Sequence, residues 1–248
     1  MICAVLAAGY ATRLYPLTEN FPKPLLEVNG KTILDWLLDD LDAAGTVSRY
    51  VVISNHKFAD HFNAWAAKAR LSAPVTVLDD GSVSNETRLG AVRDVRFAID
   101  AIRADGDMLV IAGDNVLDFS LRRFMDYAAG KGTSCLMRYR ETDVARLRKC
   151  GVMEIDAADR VLRMEEKPGE PFSEWCAPPF YLYKKADLPR IAEAIETGVN
   201  VDAPGSLMAW MAQRTAVHAM EMPGKRYDIG NLESYRQVCD AYRGVKEG

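Results

Sequence analysis

Through its first half the chain alternates short, apolar, β-branched runs with stretches whose apolar residues recur at helical period, and few architectures accept that rhythm. Residues 1–6 read as a buried strand, 32–44 as a helix, 49–54 (RYVVIS) as a strand and 57–70 as a helix. The series continues with a strand at 74–78, a helix at 88–103, a strand at 107–112, a helix at 119–130 and a strand at 133–139. Short strands separated by 3.6-period segments predict βαβ units, in which a mostly parallel sheet is covered by helices on both faces. Beyond about residue 140 the texture changes. Runs at 151–155, 161–165 and 175–183 predict further strands, interrupted by Pro168, Pro171, Pro178 and Pro179, before helices return at 186–196, 204–213 and 231–243. No repeat, low-complexity tract or long linker divides the chain, so one α/β domain with a strand-rich second half fits better than two independent domains.

Charge and composition exclude two classes of function. The 248 residues carry 35 acidic and 31 basic side chains, a net charge of −4. Nucleic-acid binders neutralise phosphates with an excess of Lys and Arg, so no nucleic-acid partner is expected. No run approaches the roughly 20 apolar residues of a membrane helix. Five scattered cysteines (Cys3, Cys135, Cys150, Cys176, Cys239) contain no CxxC, and His56, His61 and His218 add no metal-ligand spacing, which predicts inert thiols in a reducing compartment. Met1–Ala8 is apolar but lacks the basic stretch of a signal peptide, so the cytoplasm is the expected location. Nothing in the sequence sets an oligomeric state.

In open α/β sheets, ligands bind beyond the carboxyl ends of the strands, which directs attention to the loop leaving the first one. That loop is Leu6-Ala7-Ala8-Gly9-Tyr10-Ala11-Thr12-Arg13-Leu14, followed by Pro16-Leu17-Thr18. Its small residues let backbone N–H groups approach phosphates, and Arg13 supplies a forked cation. In Phe21-Pro22-Lys23-Pro24, two prolines stiffen the backbone around one lysine, as suits a cation held at a set distance from a polyphosphate. An ordinary strand–helix connection with exposed basic residues is the competing reading. A dinucleotide fingerprint fails because Gly9 stands alone, and a P-loop fails because Leu25 occupies the glycine position before Gly30-Lys31-Thr32. That tripeptide instead predicts a turn into a helix capped by the Thr32 hydroxyl.

The run from Leu6 to Thr18, with Pro22-Lys23-Pro24-Leu25-Leu26 after it, resembles the signature of the sugar-1-phosphate nucleotidylyltransferases, the nucleoside-diphosphate-sugar pyrophosphorylases. The resemblance extends through five ordered motifs, from residue 1 to about 235. It implies a single-domain, three-layer α/β/α, Rossmann-like mixed sheet, with 1–140 as the nucleotide-binding half, 141–235 as the sugar-phosphate-binding half and 236–248 as the end of the C-terminal helix. It further implies that Leu6, Ala7, Ala8, Gly9, Thr12, Arg13 and Lys23 bind the nucleotide. Ala11 stands where the family usually has a second glycine, so its methyl group is expected to tighten the loop.

Later motifs carry the remaining chemistry. Val110-Ile-Ala-Gly113-Asp114-Asn115 ends a strand on a carboxylate, and Tyr227-Asp228-Ile229-Gly230 sets a second one beside a glycine turn. One Asp at a strand end is as often structural. Two of them together with substrate phosphates form a usual Mg²⁺ site, because Mg²⁺ keeps several waters and avoids all-protein cages. The resemblance assigns Asp114 and Asp228 to the catalytic magnesium, and Asp114 to the nucleotide as well. Met164-Glu165-Glu166-Lys167-Pro168 in isolation is a solvated charge run; by resemblance Lys167 binds the sugar phosphate, Glu166 the sugar hydroxyls, and the Gly151 backbone also contacts the sugar. Three positions depart from the family pattern in the sugar-reading region: Cys150 for a tyrosine, Glu174 for an asparagine and Pro179 for a glycine. The glutamate is compatible with a hydroxyl-rich, amino-bearing or cationic acceptor. In the base-reading segment Gly90-Ala91 fits the family pattern, and Asn85 or Arg88 is either a base reader or a helix cap and a solvated arginine.

The implied reaction joins a nucleoside triphosphate (NTP) to a sugar 1-phosphate, with Arg13, Lys23, Asp114 and Asp228 as catalytic residues. A cytidylyltransferase acting on phosphocholine or a similar phosphate is the alternative, and a nucleotide-binding subunit without turnover a further one. The latter sits poorly with the presence of all four charged residues.

Overall fold

Residues 2–6 form a strand because Cys3, Ala4 and Val5 are fully buried, with Ile2 and Leu6 half-buried at its ends. In the computed structural model, which describes residues 1–246, this strand, β1 (Ile2–Leu6), is followed by a small hairpin of β2 (Glu27–Val28) and β3 (Lys31–Thr32). Next come α1 (Ile33–Ala43), β4 (Arg49–Ser54), α2 (Ala59–Ala66), β5 (Val75–Asp79), α3 (Ala91–Ile102), β6 (Met108–Ala112), β7 (Asn115–Leu117), α4 (Arg122–Lys131) and β8 (Ser134–Arg140). The rest is α5 (Val144–Leu147), β9 (Gly151–Ile155), β10 (Val161–Glu166), β11 (Trp175–Ala177), β12 (Phe180–Tyr183), α6 (Arg190–Glu196), α7 (Pro204–Ala212), β13 (Val217–Glu221), β14 (Arg226–Asp228) and α8 (Leu232–Ala241).

The chain forms two compact units. The first takes Met1–Arg88, Ile111–Arg122 and the chain from Pro223 onward; the second takes Leu89–Val110 and Arg123–Met222. In the first unit β4 pairs in parallel with β1 on one side and β5 on the other, as the βαβ rhythm predicts. The short antiparallel pair β7–β14 sets Asp228 opposite Asn115. Leu14, Leu26, Ile33, Val116, Ile229 and Tyr242 pack into one buried cluster there, which ties the signature loop, α1, β7 and the end of β14 together. Thr32 caps α1 as expected. Its hydroxyl accepts from the Asp35 N–H at 3.0 Å, and Asp35 returns a bond to the Thr32 N–H at 3.3 Å.

The second unit is the strand-rich one. β8 runs antiparallel to β11 and β12 and parallel to β13, while β9 lies between β10 and β11. The 175–183 run splits into two strands at Pro178-Pro179, since a proline donates nothing to a ladder. The helix expected from residue 88 starts only at Ala91, because Gly90 sits at φ +91, a conformation no helix contains. The described residues also contain β2, β3, β7, β13, β14 and α5, which the sequence did not announce.

Candidate active site

Within the first unit the loop after β1 is pinned from below. The Ala7 N–H donates to the Ile53 carbonyl at 2.9 Å, and the Gly113 N–H donates to the Leu6 carbonyl at 3.1 Å. Buried Asn55 donates from Nδ2 to the Ala8 carbonyl at 3.0 Å, and the buried Tyr10 hydroxyl donates to the Ser82 carbonyl at 3.0 Å. Ala11 adopts φ 47, ψ 40, the left-handed region, and its carbonyl accepts from the Leu14 N–H at 2.9 Å and from the buried Thr18 hydroxyl at 2.8 Å. Ala11 in the glycine's place therefore carries backbone strain. A left-handed non-glycine residue of this kind persists only where its surroundings over-determine it. Gly9, Thr12 and Arg13 are exposed on the outer side of the loop, whereas Ala7 and Ala8 are buried and Leu6 is half-buried.

Lys23 is only 7% exposed, and its ammonium lies 2.8 Å from Asp114 Oδ2. A buried ammonium needs such a partner, and removing one member of a pair like this leaves an uncompensated charge. Gly113 makes the approach possible: a methyl group there would lie 3.2 Å from the Pro24 ring and 3.0 Å from Val5. The other Asp114 oxygen, Oδ1, accepts from Asn115 Nδ2 at 2.5 Å, and Asn115 in turn accepts from Arg226 at 2.6 Å. Arg226 also lies 3.6 Å from Asp228 Oδ1, and Asp228 remains 54% exposed at its side chain. Lys23, Asp114 and Asp228 thus belong to one network, joined through Asn115 and Arg226. Arg13 lies on the same unit, in the short 3-10 turn Thr12–Leu14. Among the described residues no three His, Cys, Asp or Glu side chains gather as a ready-made metal cage.

Within the second unit Glu166 pairs across the ladder with Gly151, and its carboxylate fills a slot made by two glycines. A methyl group on Gly151 would lie 2.9 Å from Glu166 Oε2, and one on Gly205 would lie 2.1 Å away. Burial in that slot pushes the Glu166 carboxyl above its ordinary pKa, opposed by the nearby Lys167 charge. Lys167 is exposed and takes φ 51, with its N–H donating to the Cys150 carbonyl at 2.9 Å. The ladder thus brings Gly151, Glu166 and Lys167 together at one strand end. Beside them is an open cavity of about 390 Å³ whose walls include Glu166, Thr197, Asn200, Ser206, Trp210 and Arg214. Cys150 accompanies an aromatic hydroxyl after all, since Tyr139 Oη lies 3.2 Å from its Sγ. Glu174 lies 3.4 Å from Arg140 in an exposed ion pair. Gly90 packs against Val201, where a methyl group would meet the carbonyl at 2.7 Å, so its identity is already demanded by packing. Asn85 does not cap α3; its carbonyl accepts from Arg88 Nε at 2.8 Å, and both residues are exposed.

Residues 3–244 match the family described as nucleotidyl transferase. The chain belongs to that family. A protein described as a mannose-1-phosphate guanyltransferase, from Sulfolobus acidocaldarius, is 28% identical over 236 residues, covering 94% of this chain and 61% of its own length. The chain thus spans about three fifths of that relative. Among solved structures, a protein described as a glucose-1-phosphate thymidylyltransferase from Bacillus anthracis, in complex with sucrose, superposes with a TM-score of 0.79 at 20% identity, covering 100% of this chain and 98% of the other. A UDP-glucose pyrophosphorylase bound to UDP-glucose gives 0.81 at 17% identity, with 97% of both chains covered. At these identities the two structures show a shared fold.

For this nucleotidyl transferase, three residues of the loop's support escaped the sequence reading. Thr18 and Tyr10 lay inside the signature without an assigned task. Asn55 offered one signal: a polar residue directly after the apolar run RYVVIS, at the carboxyl end of a strand parallel to β1.

Proposed function

We propose that this nucleotidyl transferase condenses an NTP with a sugar 1-phosphate, giving a nucleoside-diphosphate sugar and pyrophosphate. The observation that carries this reading is the buried Lys23 held on Asp114, in one network with Asp228, on the unit that also bears the glycine loop. An acceptor phosphate oxygen forms the new bond to the α-phosphorus while the bond to the β-phosphate oxygen breaks. The attacking acceptor oxygen is already ionised at neutral pH, so the chemistry asks for positioning and charge stabilisation rather than a base.

Each role is the one that the resemblance implies and that the residue's chemistry allows. The backbone of Ala8 and Gly9 receives phosphate oxygens, and exposed Arg13 meets the charge growing on the departing pyrophosphate. Lys23 neutralises the α-phosphate region. Asp114, in the turn just before β7, and Asp228, opposite Asn115 in the paired strand β14, are hard oxygen donors, a set that fits a Mg²⁺ ion completing its shell with water and substrate phosphate. Bound there, such an ion would neutralise phosphate charge. In the second unit Glu166 accepts from sugar hydroxyls and Lys167 holds the acceptor phosphate. The phosphocholine alternative is not favoured: the relatives above are named for sugar phosphates and nucleotide sugars, and Glu166 sits beside a cavity rich in hydroxyl and amide groups. Five free cysteines support a reducing, cytoplasmic setting.

Pyrophosphate release measured over a grid of ATP, GTP, CTP, UTP and dTTP against hexose 1-phosphates and phosphocholine tests the reading. One or a few NTP–sugar pairs are expected to react. Turnover only with phosphocholine, or with nothing, would overturn it. With the reactive pair, Arg13→Ala is expected to lower kcat by roughly 10²–10³ with the fold intact.

A further inference from the structure

Asn55 directly follows β4 and is completely buried, yet it lies outside every motif discussed above. Its side chain engages backbone at both ends. Oδ1 accepts from the Phe58 N–H at 3.0 Å, closing a local turn, while Nδ2 reaches 47 residues back to donate to the Ala8 carbonyl at 3.0 Å. The local bond serves the turn alone, but the distant one fixes the orientation of a peptide plane in the glycine loop.

The Ala8–Gly9 peptide is trans, and in a planar trans peptide the C=O and N–H point in opposite directions. Holding the Ala8 oxygen inward on Asn55 therefore turns the Gly9 N–H outward. The surroundings of Gly9 agree with that direction. Gly9 is exposed, a methyl group built on it would meet nothing within 4 Å, and among the described residues no acceptor takes its N–H. Without the Asn55 bond the same plane could rotate and present a carbonyl, which repels an anion.

We infer that Asn55 is the positioning residue of the nucleotide loop, turning the Gly9 N–H outward as a fixed donor to a phosphate oxygen of the NTP. Asn55 itself touches no substrate; it acts through the Ala8–Gly9 plane. The inference rests on the proposed nucleotide role of this loop and adds a residue that role does not name.

Two substitutions separate positioning from mere support. Asn55→Ser and Asn55→Asp each keep an oxygen for the Phe58 N–H. The serine hydroxyl is too short to span to Ala8, and the aspartate replaces the donor by a charge that repels the Ala8 oxygen. Equilibrium dialysis with labelled ATP, GTP, CTP, UTP and dTTP is the readout, with urea midpoints reporting folding. Both variants are expected to bind the preferred nucleotide about ten- to a hundredfold more weakly, aspartate worse than serine, while the KM for the acceptor stays unchanged. Wild-type affinity in the serine variant, or an equal rise in both substrate constants, overturns the role of Asn55. Wild-type protein that binds none of the five nucleotides overturns the proposed function and this inference together. Should both variants fail to fold, the wild-type protein decides: inorganic triphosphate is expected to move the Gly9 amide resonance, and an unmoved resonance at saturation overturns the inference.

Discussion

Glu166 shows how one residue's burial can work against stability. Its carboxylate is pressed between Gly151 and Gly205, where a side chain on either glycine would collide with it. Burial raises its pKa above the ordinary 4.5, which means that the folded state holds the proton more tightly than the unfolded chain does. At low pH both states are protonated and the slot costs nothing. As pH rises through 4.5 the unfolded chain ionises first, so this group lowers stability until the folded carboxyl has also ionised, and the cost is constant above that. Glu166→Gln fills the slot with a neutral group of the same size. Its urea midpoint is expected to exceed the wild type's at pH 7, with the gap closing as pH falls toward 4. A gap that stays constant across that range would show that the Glu166 charge carries no such cost. Ala11 and Lys167 are a second kind of local cost, two non-glycine residues in the left-handed region, each in a motif that the resemblance assigns to substrate.

At the scale of elements, what the sequence announced and what it did not divide along physical lines. β1, β4, β5 and β6 are apolar enough to be read without any partner, and α1 carries its own cap in Thr32 and Asp35. β7 and β14 have only three residues each, and their identity comes from pairing with one another across more than a hundred residues, which no local pattern encodes. The same holds inside the candidate site. Lys23, Asp114 and Asp228 were legible as chemistry from motif residues, whereas Asn55 and Thr18 act through side-chain hydrogen bonds to the loop's backbone carbonyls, 47 and 7 residues away. The end of β14 leads into α8 through a compact cap: the Ser234 hydroxyl accepts from the Gly230 and Asn231 N–H groups at 2.9 and 3.0 Å, and the Ser234 N–H donates to Asn231 Oδ1 at 2.9 Å. Gly230 stands two residues after Asp228, so the cap also holds the backbone beneath that carboxylate. Ser234→Ala is expected to lower stability by about 1 kcal/mol and to raise the Mg²⁺ concentration needed for half-maximal turnover. A stability loss with an unchanged Mg²⁺ titration would confine the cap to the helix.

At the scale of the whole chain, the polypeptide passes four times between the two compact units, so neither unit is a continuous piece of sequence. The proposed function nonetheless sorts most of the chemistry between them. The first holds Gly9, Arg13, Lys23, Asp114 and Asp228, to which the proposed function gives the triphosphate; the second holds Gly151, Glu166 and Lys167, to which it gives the acceptor, along with Gly90 of the base-reading segment. On that proposal, a chain with net charge −4 has to meet two anionic substrates with local cations in each unit. If Lys167 is the cation for the acceptor phosphate, its loss should be felt by one substrate alone. Lys167→Gln removes a charge-assisted bond, of about 1.5–3 kcal/mol, and is expected to raise the acceptor KM about ten- to a hundredfold while the affinity for the NTP, measured by dialysis without acceptor, is unchanged. A parallel loss of NTP affinity would mean that Lys167 serves the triphosphate too, and the division of substrates between the units would not hold.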